Sequence, residues 1–306
     1  MRHKYLAPDD MRARGTLYSV VLVGGKGKRL RPLSSDLRPK SFLSVTRNRK
    51  TMFRNTIDRI RRMVPDANII VSANRLHEKL VRADVPALKA SNLILEPVCR
   101  NTAPAIALAS GAILKRDSNA IIMVLPTDHY ISDDDRQLAC LKKGVDFIRK
   151  RGAGIVVIGI KPRHPSTEFG YIKIGRSVRR NAEIFVVERF VEKPPLKTAE
   201  RYFRRGGYLW NSGIFIFGGR YFMKMVQKCA PEIFRVANEC NASDLAYERL
   251  PDISIDYAIM EKAKHVYCVK ASYGWDDMGT FRALKNVLKR EGRQFVEKGG
   301  KIVKIL

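Results

Sequence analysis

Three glycines and three cations crowd one short stretch that follows an apolar run: Gly24, Gly25, Gly27, Arg29, Arg38 and Lys40. Glycines at the carboxyl end of a buried strand let the backbone approach a ligand with its N–H groups exposed, and phosphate is the usual ligand of such a loop. The run Val20-Val21-Leu22-Val23 supplies the strand. Spacing excludes two better-known phosphate loops: the third glycine of Gly-x-Gly-x-x-Gly would fall at Leu30, and no Gly-x-x-x-x-Gly-Lys-Ser/Thr exists. What remains is a cationic loop whose Arg29, Arg38 and Lys40 can meet a triphosphate, with Pro32 and Pro39 preventing a helix and holding the segment as a rigid lid. The competing interpretation is a set of solvated surface charges, a strong one in a chain with 58 basic residues. Placement beside three glycines and two prolines favours function for Arg29 and Lys40; Lys26, Lys28 and Arg31 lack that support. Two carboxylates also stand where strands or turns expose them, Asp128 after an apolar run and Asp277 in a Gly/Trp turn. On residues alone Asp128 reads more readily as a turn or N-cap aspartate, because Ser132 and three aspartates after it lead into a helix.

Elements must bring these groups together. Strands are expected at 19–23, 68–73, 92–95, 120–125 and 154–160, with amphipathic helical stretches between several of them. The alternation predicts an α/β fold with a doubly wound, mostly parallel, Rossmann-like sheet. In such sheets ligands bind outside the carboxyl ends of the strands, where residues 24–40, 96–102 and 126–129 emerge. The second half is more mixed, with strands at 169–174, 184–192 and 208–217 and helices around 221–227 and 254–262. Residues 1–16 are polar and aperiodic and read as a flexible leader. Residues 17–291 read as one domain, and 292–306 as a short strand-like end.

Composition sets outer limits. With 306 residues, 45% of them hydrophobic, the chain can bury a large core. No apolar run suffices to span a bilayer, and the basic N-terminus has no apolar segment behind it, so a soluble, cytoplasmic protein without a membrane partner is expected. Five cysteines form neither Cys-x-x-Cys nor a His/Cys cluster and read as reduced and structural, without zinc. The net charge of +28 would suit a nucleic-acid binder. Its distribution in small groups, such as Arg59-Arg61-Arg62 and Arg201-Arg204-Arg205, without a nucleic-acid motif, favours solvated helix faces that steer anionic substrates.

The run from Gly24 to Leu43 resembles the nucleotide-binding signature of the sugar-phosphate nucleotidylyltransferases. Four further segments resemble the mannose-1-phosphate guanylyltransferases among them: Glu96 to Ile106 (EPVCRNTAPAI), Leu125 to His129 (LPTDH), Phe190 to Pro194 (FVEKP) and Gly274 to Gly279 (GWDDMG). All five come in family order and span most of residues 18–285. The resemblance implies transfer of GMP from GTP to mannose 1-phosphate, giving GDP-mannose and pyrophosphate by in-line attack on the α-phosphorus. Charge neutralisation and positioning then dominate over proton transfer. It implies Mg2+ or another divalent cation held by Asp128 and Asp277, with Asp276 competing for the second place, and a homo-oligomer. It assigns Arg29 to the leaving pyrophosphate, Lys40 to the α-phosphate and Lys193 to the sugar phosphate. The nucleotide set is Leu22, Gly24, Gly25, Gly27, Glu96, Asn101, Thr102 and Pro126, with Glu96, Asn101 and Thr102 on a guanine edge; the sugar set is Gly170, Glu192 and Asn211. Lys28 stands where members usually carry a small hydroxyl residue, and Glu168 where many have glycine. Many members continue into a β-helical cap or a cupin-like isomerase domain; this chain stops too early for either, and isomerase activity is not expected.

Each segment also has a plainer interpretation. Asn101-Thr102-Ala103-Pro104 is a good helix start, Glu192-Lys193-Pro194 a strand end with an ion pair, and 208–213 a core strand. His129 and His164 lie in no nucleophile motif and receive no role; Trp275 is expected to pack behind the Asp277 turn. Three other functions remain open at this stage: the same reaction with another nucleotide or sugar, a catalytically silent nucleotide-sugar-binding regulator, and a nucleic-acid binder.

Overall fold

The computed structural model describes residues 15–25, 27–178, 183–239 and 243–306. In chain order the elements begin with β1 (Leu17–Val23), α1 (Met52–Ile60), β2 (Ile69–Asn74), α2 (Glu78–Asp84), β3 (Leu93–Glu96), α3 (Thr102–Arg116), β4 (Ile121–Pro126) and β5 (Tyr130–Ile131). They continue with α4 (Asp134–Arg151), β6 (Ile155–Ile160), β7 (Tyr171–Ser177), β8 (Ile184–Val191), α5 (Leu196–Arg205), β9 (Tyr208–Gly218), α6 (Gly219–Cys229), α7 (Pro231–Asn238) and α8 (Asp244–Glu248). After a π-helical turn at Asp256–Met260 come β10 (Val266–Lys270), β11 (Trp275–Asp276), α9 (Phe281–Arg290), β12 (Phe295–Lys298) and β13 (Lys301–Ile305). Residues 1–14 of the expected leader, Lys26, Arg179, Arg180 and Cys240 lie outside the described residues. Gly15 and Thr16 are held: their N–H groups donate to the Asn119 carbonyl at 3.2 Å and the Asp117 carboxylate at 2.7 Å.

The chain forms two compact units. The first comprises Ser19–Cys99, Leu125–Leu138 and Tyr273–Leu306. Here β1, β2 and β3 pair in parallel, from Ser19 opposite Ile69 to Asn74 opposite Glu96. The largely unbroken burial of β1 and β2 is what a parallel sheet demands of its strands. Helix α1 starts where the Thr51 hydroxyl accepts from the Arg54 N–H and buries Phe53, Ile57 and Ile60. The short ladder of β5 with β11 sets Ile131 opposite Trp275 and Tyr130 opposite Asp276. A single strand was expected at the C-terminus; a hairpin of β12 and β13 is found instead, turning through Gly299 and Gly300 at φ 53° and 73°. Its Ile302 is buried among Leu30, Leu43, Met278, Leu284 and Leu288.

The second unit comprises Arg100–Val124, Ala139–Ser272 and the described residues before Ser19. Its sheet is mixed. β6 and β10 run in parallel, whereas β9 is antiparallel to β4, β6 and β7, and β8 is antiparallel to β7 and β10. The order β9-β6-β10-β8-β7, with β7 returning to β9, closes a five-stranded ring. The α/β class is as expected; a mostly parallel doubly wound sheet is not what this unit shows. Hydrophobic period reveals a strand but not its direction, and β9 enters beside β4 and β6 in the opposite sense. No described helix is long and apolar enough to cross a membrane.

Candidate active site

In the first unit the glycine loop leaves β1 and folds back on itself. Gly25 and Gly27 have φ 89° and 56°, values that other residues adopt only at a cost, and the Ser34 hydroxyl donates to the Gly27 carbonyl at 2.6 Å. A Cβ on Gly27 would lie 3.0 Å from Ser34 Oγ and 3.2 Å from Lys40 Cβ, so the tight turn seats Lys40. In the segment expected to be kept from a helix by Pro32 and Pro39, residues 28–30 and 40–42 form single 3-10 turns. Lys40 is buried, 6% exposed. Its ammonium donates to Asp128 Oδ2 at 3.1 Å and to the main-chain carbonyl of Asp277. The surface-charge interpretation therefore fails for Lys40, whereas Arg29, Arg38 and Lys28 are exposed.

Two devices hold this arrangement. The buried Thr127 hydroxyl donates to the Leu22 carbonyl at 2.9 Å and shares a hydrogen bond with the Ser41 hydroxyl at 2.8 Å, tying the end of β1, the Lys40 turn and Asp128 together. On the far side, Trp275 is buried with its ring edge-on to His129 at 5.1 Å, the packing role expected of it. In the turn that follows, Asp276 accepts from the Met278 N–H and Asp277 from the Gly279 N–H. A Cβ on Gly279 would lie 2.5 Å from Asp277 Oδ2 and 3.0 Å from Arg29 Nη2, which brings Arg29 to the same turn. Gly279→Ala is therefore expected to displace the Asp277 carboxylate and lower kcat about tenfold or more with little effect on melting temperature; an unchanged kcat would show that this carboxylate's position does not matter.

Burial alone would raise the Asp128 carboxyl pKa, but the Lys40 ammonium, then His129, more than offset it and hold the pKa below the ordinary value. Burial pushes the His129 pKa down, against the pull of the neighbouring Asp128 carboxylate. No group of three or more His, Cys, Asp or Glu side chains among the described residues is placed to hold a metal by itself. Magnesium, however, needs only one or two carboxylates when substrate phosphates and water supply its other oxygens; the Lys40 ammonium bonds the Asp128 carboxylate and the Asp277 main-chain carbonyl, which puts both aspartates beside one ammonium. A Cβ on Gly25 would lie 4.0 Å from Asp128 Oδ2, so the glycine loop runs past this carboxylate.

Glu96 also belongs to the first unit. It is buried at the end of β3, and its carboxylate accepts from the Ser72 hydroxyl at 2.8 Å. Pro126 ends β4. Asn101 and Thr102 fall in the second unit and form the expected helix start: Asn101 Oδ1 accepts from the Thr102 N–H at the head of α3. The Thr102 hydroxyl accepts from the Ile255 N–H at 2.9 Å, which fixes the segment entering the π turn.

The second unit gathers the expected sugar residues. The Asn211 N–H donates to the Gly170 carbonyl at 2.8 Å, and a Cβ on Gly170 would lie 2.5 Å from Glu192 Oε2 and 3.5 Å from Asn211 Cβ. Lys193, at φ 41°, turns its ammonium onto Glu192 Oε1 at 2.6 Å. Asn211 Oδ1 accepts from the N–H of Gly213, where β9 bends at φ 70° opposite a shift of register with β6. Glu168 is exposed. One neighbour had no sequence signal: Asp256, at the start of the π turn, accepts from Asn211 Nδ2 at 3.0 Å. Thr127 was likewise passed over, although its small hydroxyl between Pro126 and Asp128 hinted at a fixing role.

The nucleotidyl transferase family pattern matches residues 18–293. The chain is 35% identical over 295 residues to mannose-1-phosphate guanylyltransferase RfbM of Salmonella typhimurium, covering 92% of this chain and 60% of that protein. It is 35% identical over 289 residues to the mannose-1-phosphate guanylyltransferase of Escherichia coli K12, covering 89% of this chain and 60% of the relative. Among solved structures, one described as mannose-1-phosphate geranyltransferase from Thermus thermophilus superposes with a TM-score of 0.80 at 35% identity, covering 89% of this chain and 79% of the other. The chain thus spans about 60% of the length of these curated relatives.

Proposed function

This chain belongs to the nucleotidyl transferase family, and we propose that it transfers GMP from GTP to mannose 1-phosphate, releasing pyrophosphate. The observation that carries the reading is the buried Lys40 ammonium, held between Asp128 and Asp277 beside a glycine loop whose backbone is open to a phosphate. In the reaction a phosphate oxygen of mannose 1-phosphate forms a bond to the α-phosphorus of GTP as the bond to the bridging β-phosphate oxygen breaks, and pyrophosphate carries away the electron pair. Lys40 offsets charge at the α-phosphate, and Arg29, beside the 277–279 turn, receives the departing pyrophosphate. Asp128 and Asp277 would hold a magnesium ion, which when bound neutralises phosphate oxygens. Lys193 binds the sugar phosphate, exchanging its contact with Glu192 for the ligand, while Glu192 and Asn211 accept and donate hydrogen bonds to hexose hydroxyls. The names of the relatives at 35% identity support guanine and mannose.

Pyrophosphate release with magnesium and mannose 1-phosphate, run in parallel with GTP, ATP, UTP and dTTP, tests this. Release with GTP together with GDP-mannose formation is the expected result. Release with a different triphosphate would overturn the guanine assignment, and silence with all four, despite GDP-mannose binding, would identify a regulator rather than an enzyme.

A further inference from the structure

The π turn at Asp256–Met260 puts two carboxylates where an α-helix would not. The Glu261 N–H reaches back five residues to the Asp256 carbonyl at 3.1 Å. On an α-helix, residues five apart project about 140° from one another; here each meets a residue of the expected sugar set. Asp256 accepts from Asn211 Nδ2, and Glu261 Oε1 accepts from the Glu192 N–H at 3.3 Å. The charged groups facing Asp256 are Glu192 and Lys193, which follow β8, and Lys193 in turn faces Glu192, Asp256 and Tyr257. Two carboxylates, Glu192 and Asp256, beside one ammonium leave an excess of negative charge, when both are ionised, at the group that must receive an anion. Pi turns recur at functional sites, and an otherwise unexplained one here is wrapped around residues assigned to the sugar phosphate.

We propose that Asp256 is a positioning residue of the sugar-phosphate site: protonated, it orients Asn211 without adding negative charge beside Lys193, and ionised, it opposes the incoming phosphate and weakens binding. The proposal rests on the reading of Lys193, Glu192 and Asn211 as the sugar-phosphate site. Burial, then the neighbouring Glu192 carboxylate, push the Asp256 carboxyl up to about 7, so the change falls in the neutral range. Asn211 Oδ1 accepts from the Gly213 N–H and one N–H of its amide donates to Asp256, so the second N–H is the one left for a ligand.

The test measures binding of mannose 1-phosphate by calorimetry from about pH 6 to pH 8 in wild type, Asp256→Asn and Asp256→Ala, with pyrophosphate release followed alongside. Wild-type affinity is expected to fall about three- to tenfold across this range beyond the change in Asp256→Asn, with extra proton uptake on binding near pH 7 that Asp256→Asn lacks. The asparagine keeps a partner for Asn211 and cannot ionise; the alanine loses affinity at every pH. The KM for GTP moves in none of them. The phosphate of the ligand titrates identically with each protein, so only the difference counts. A readout independent of catalysis is stability. A carboxyl raised in the folded state makes stability fall as pH rises from the ordinary carboxylate range to about 7, and Asp256→Asn removes that fall. Coincident pH profiles for wild type and Asp256→Asn overturn the proposal while leaving the transfer reaction intact. A wild type that neither binds mannose 1-phosphate nor releases pyrophosphate with any triphosphate overturns both.

Discussion

Replacing Lys40 by methionine is expected to lower kcat about 1000-fold, roughly 4 kcal/mol of transition-state stabilisation, while the protein remains folded. Methionine keeps most of the apolar stem that the Gly27 turn grips but removes the ammonium, the only part that touches Asp128 and the Asp277 carbonyl. The charge acts on oxygens whose negative charge grows as the α-phosphorus is attacked, so kcat and kcat/KM for GTP fall together. Arginine does not rescue: its longer planar head cannot occupy a seat shaped for an ammonium on a buried stem. Initial rates of pyrophosphate release at saturating substrates, with melting curves as the control, decide it. A kcat within tenfold of wild type would remove Lys40 from the chemistry.

How much of this was legible beforehand follows from what kind of interaction each residue makes. The β1 strand, the glycines after it and the strands through β4 are local signals, and their bounds are found within a residue or two of expectation. Gly170, Glu192, Lys193 and Asn211, named through resemblance, are neighbours in space. The burial of Lys40 was not legible, because it depends on Asp128 and Asp277, 88 and 237 residues away. Strand direction in the second unit was hidden for a related reason. β9 is apolar apart from Asn211 and Ser212, and only its pairing, with the bend at Gly213, shows that it runs against β4, β6 and β7. Asp256 was least visible. Its stretch reads as an amphipathic helix, and the significance of the carboxylate arises from an extra residue in that turn and from burial against Glu192, neither of which leaves a pattern in the sequence.

Replacing Asp128 by asparagine should cost about 100-fold or more in kcat and shift activation to magnesium concentrations about tenfold higher. Asparagine preserves the shape of the side chain but leaves the Lys40 ammonium with a neutral partner, and it removes one of the two carboxylates available to a cation. A purely structural role for Asp128 would lower stability without moving the magnesium requirement, so titrating magnesium against initial rate separates the two. Acid stability supplies a second check. Burial opposes ionisation of Asp128, yet the Lys40 ammonium prevails and the folded pKa lies below the ordinary value near 4. The ionised carboxylate therefore contributes stability above that value, and the contribution disappears as pH falls through the folded pKa. The melting temperatures of wild type and Asp128→Asn should then differ most near neutrality and converge below about pH 4. Should the gap stay constant as acid is added, the Lys40–Asp128 pair would not be the source of the difference, and the asparagine's effect on turnover would have to come from the lost carboxylate alone.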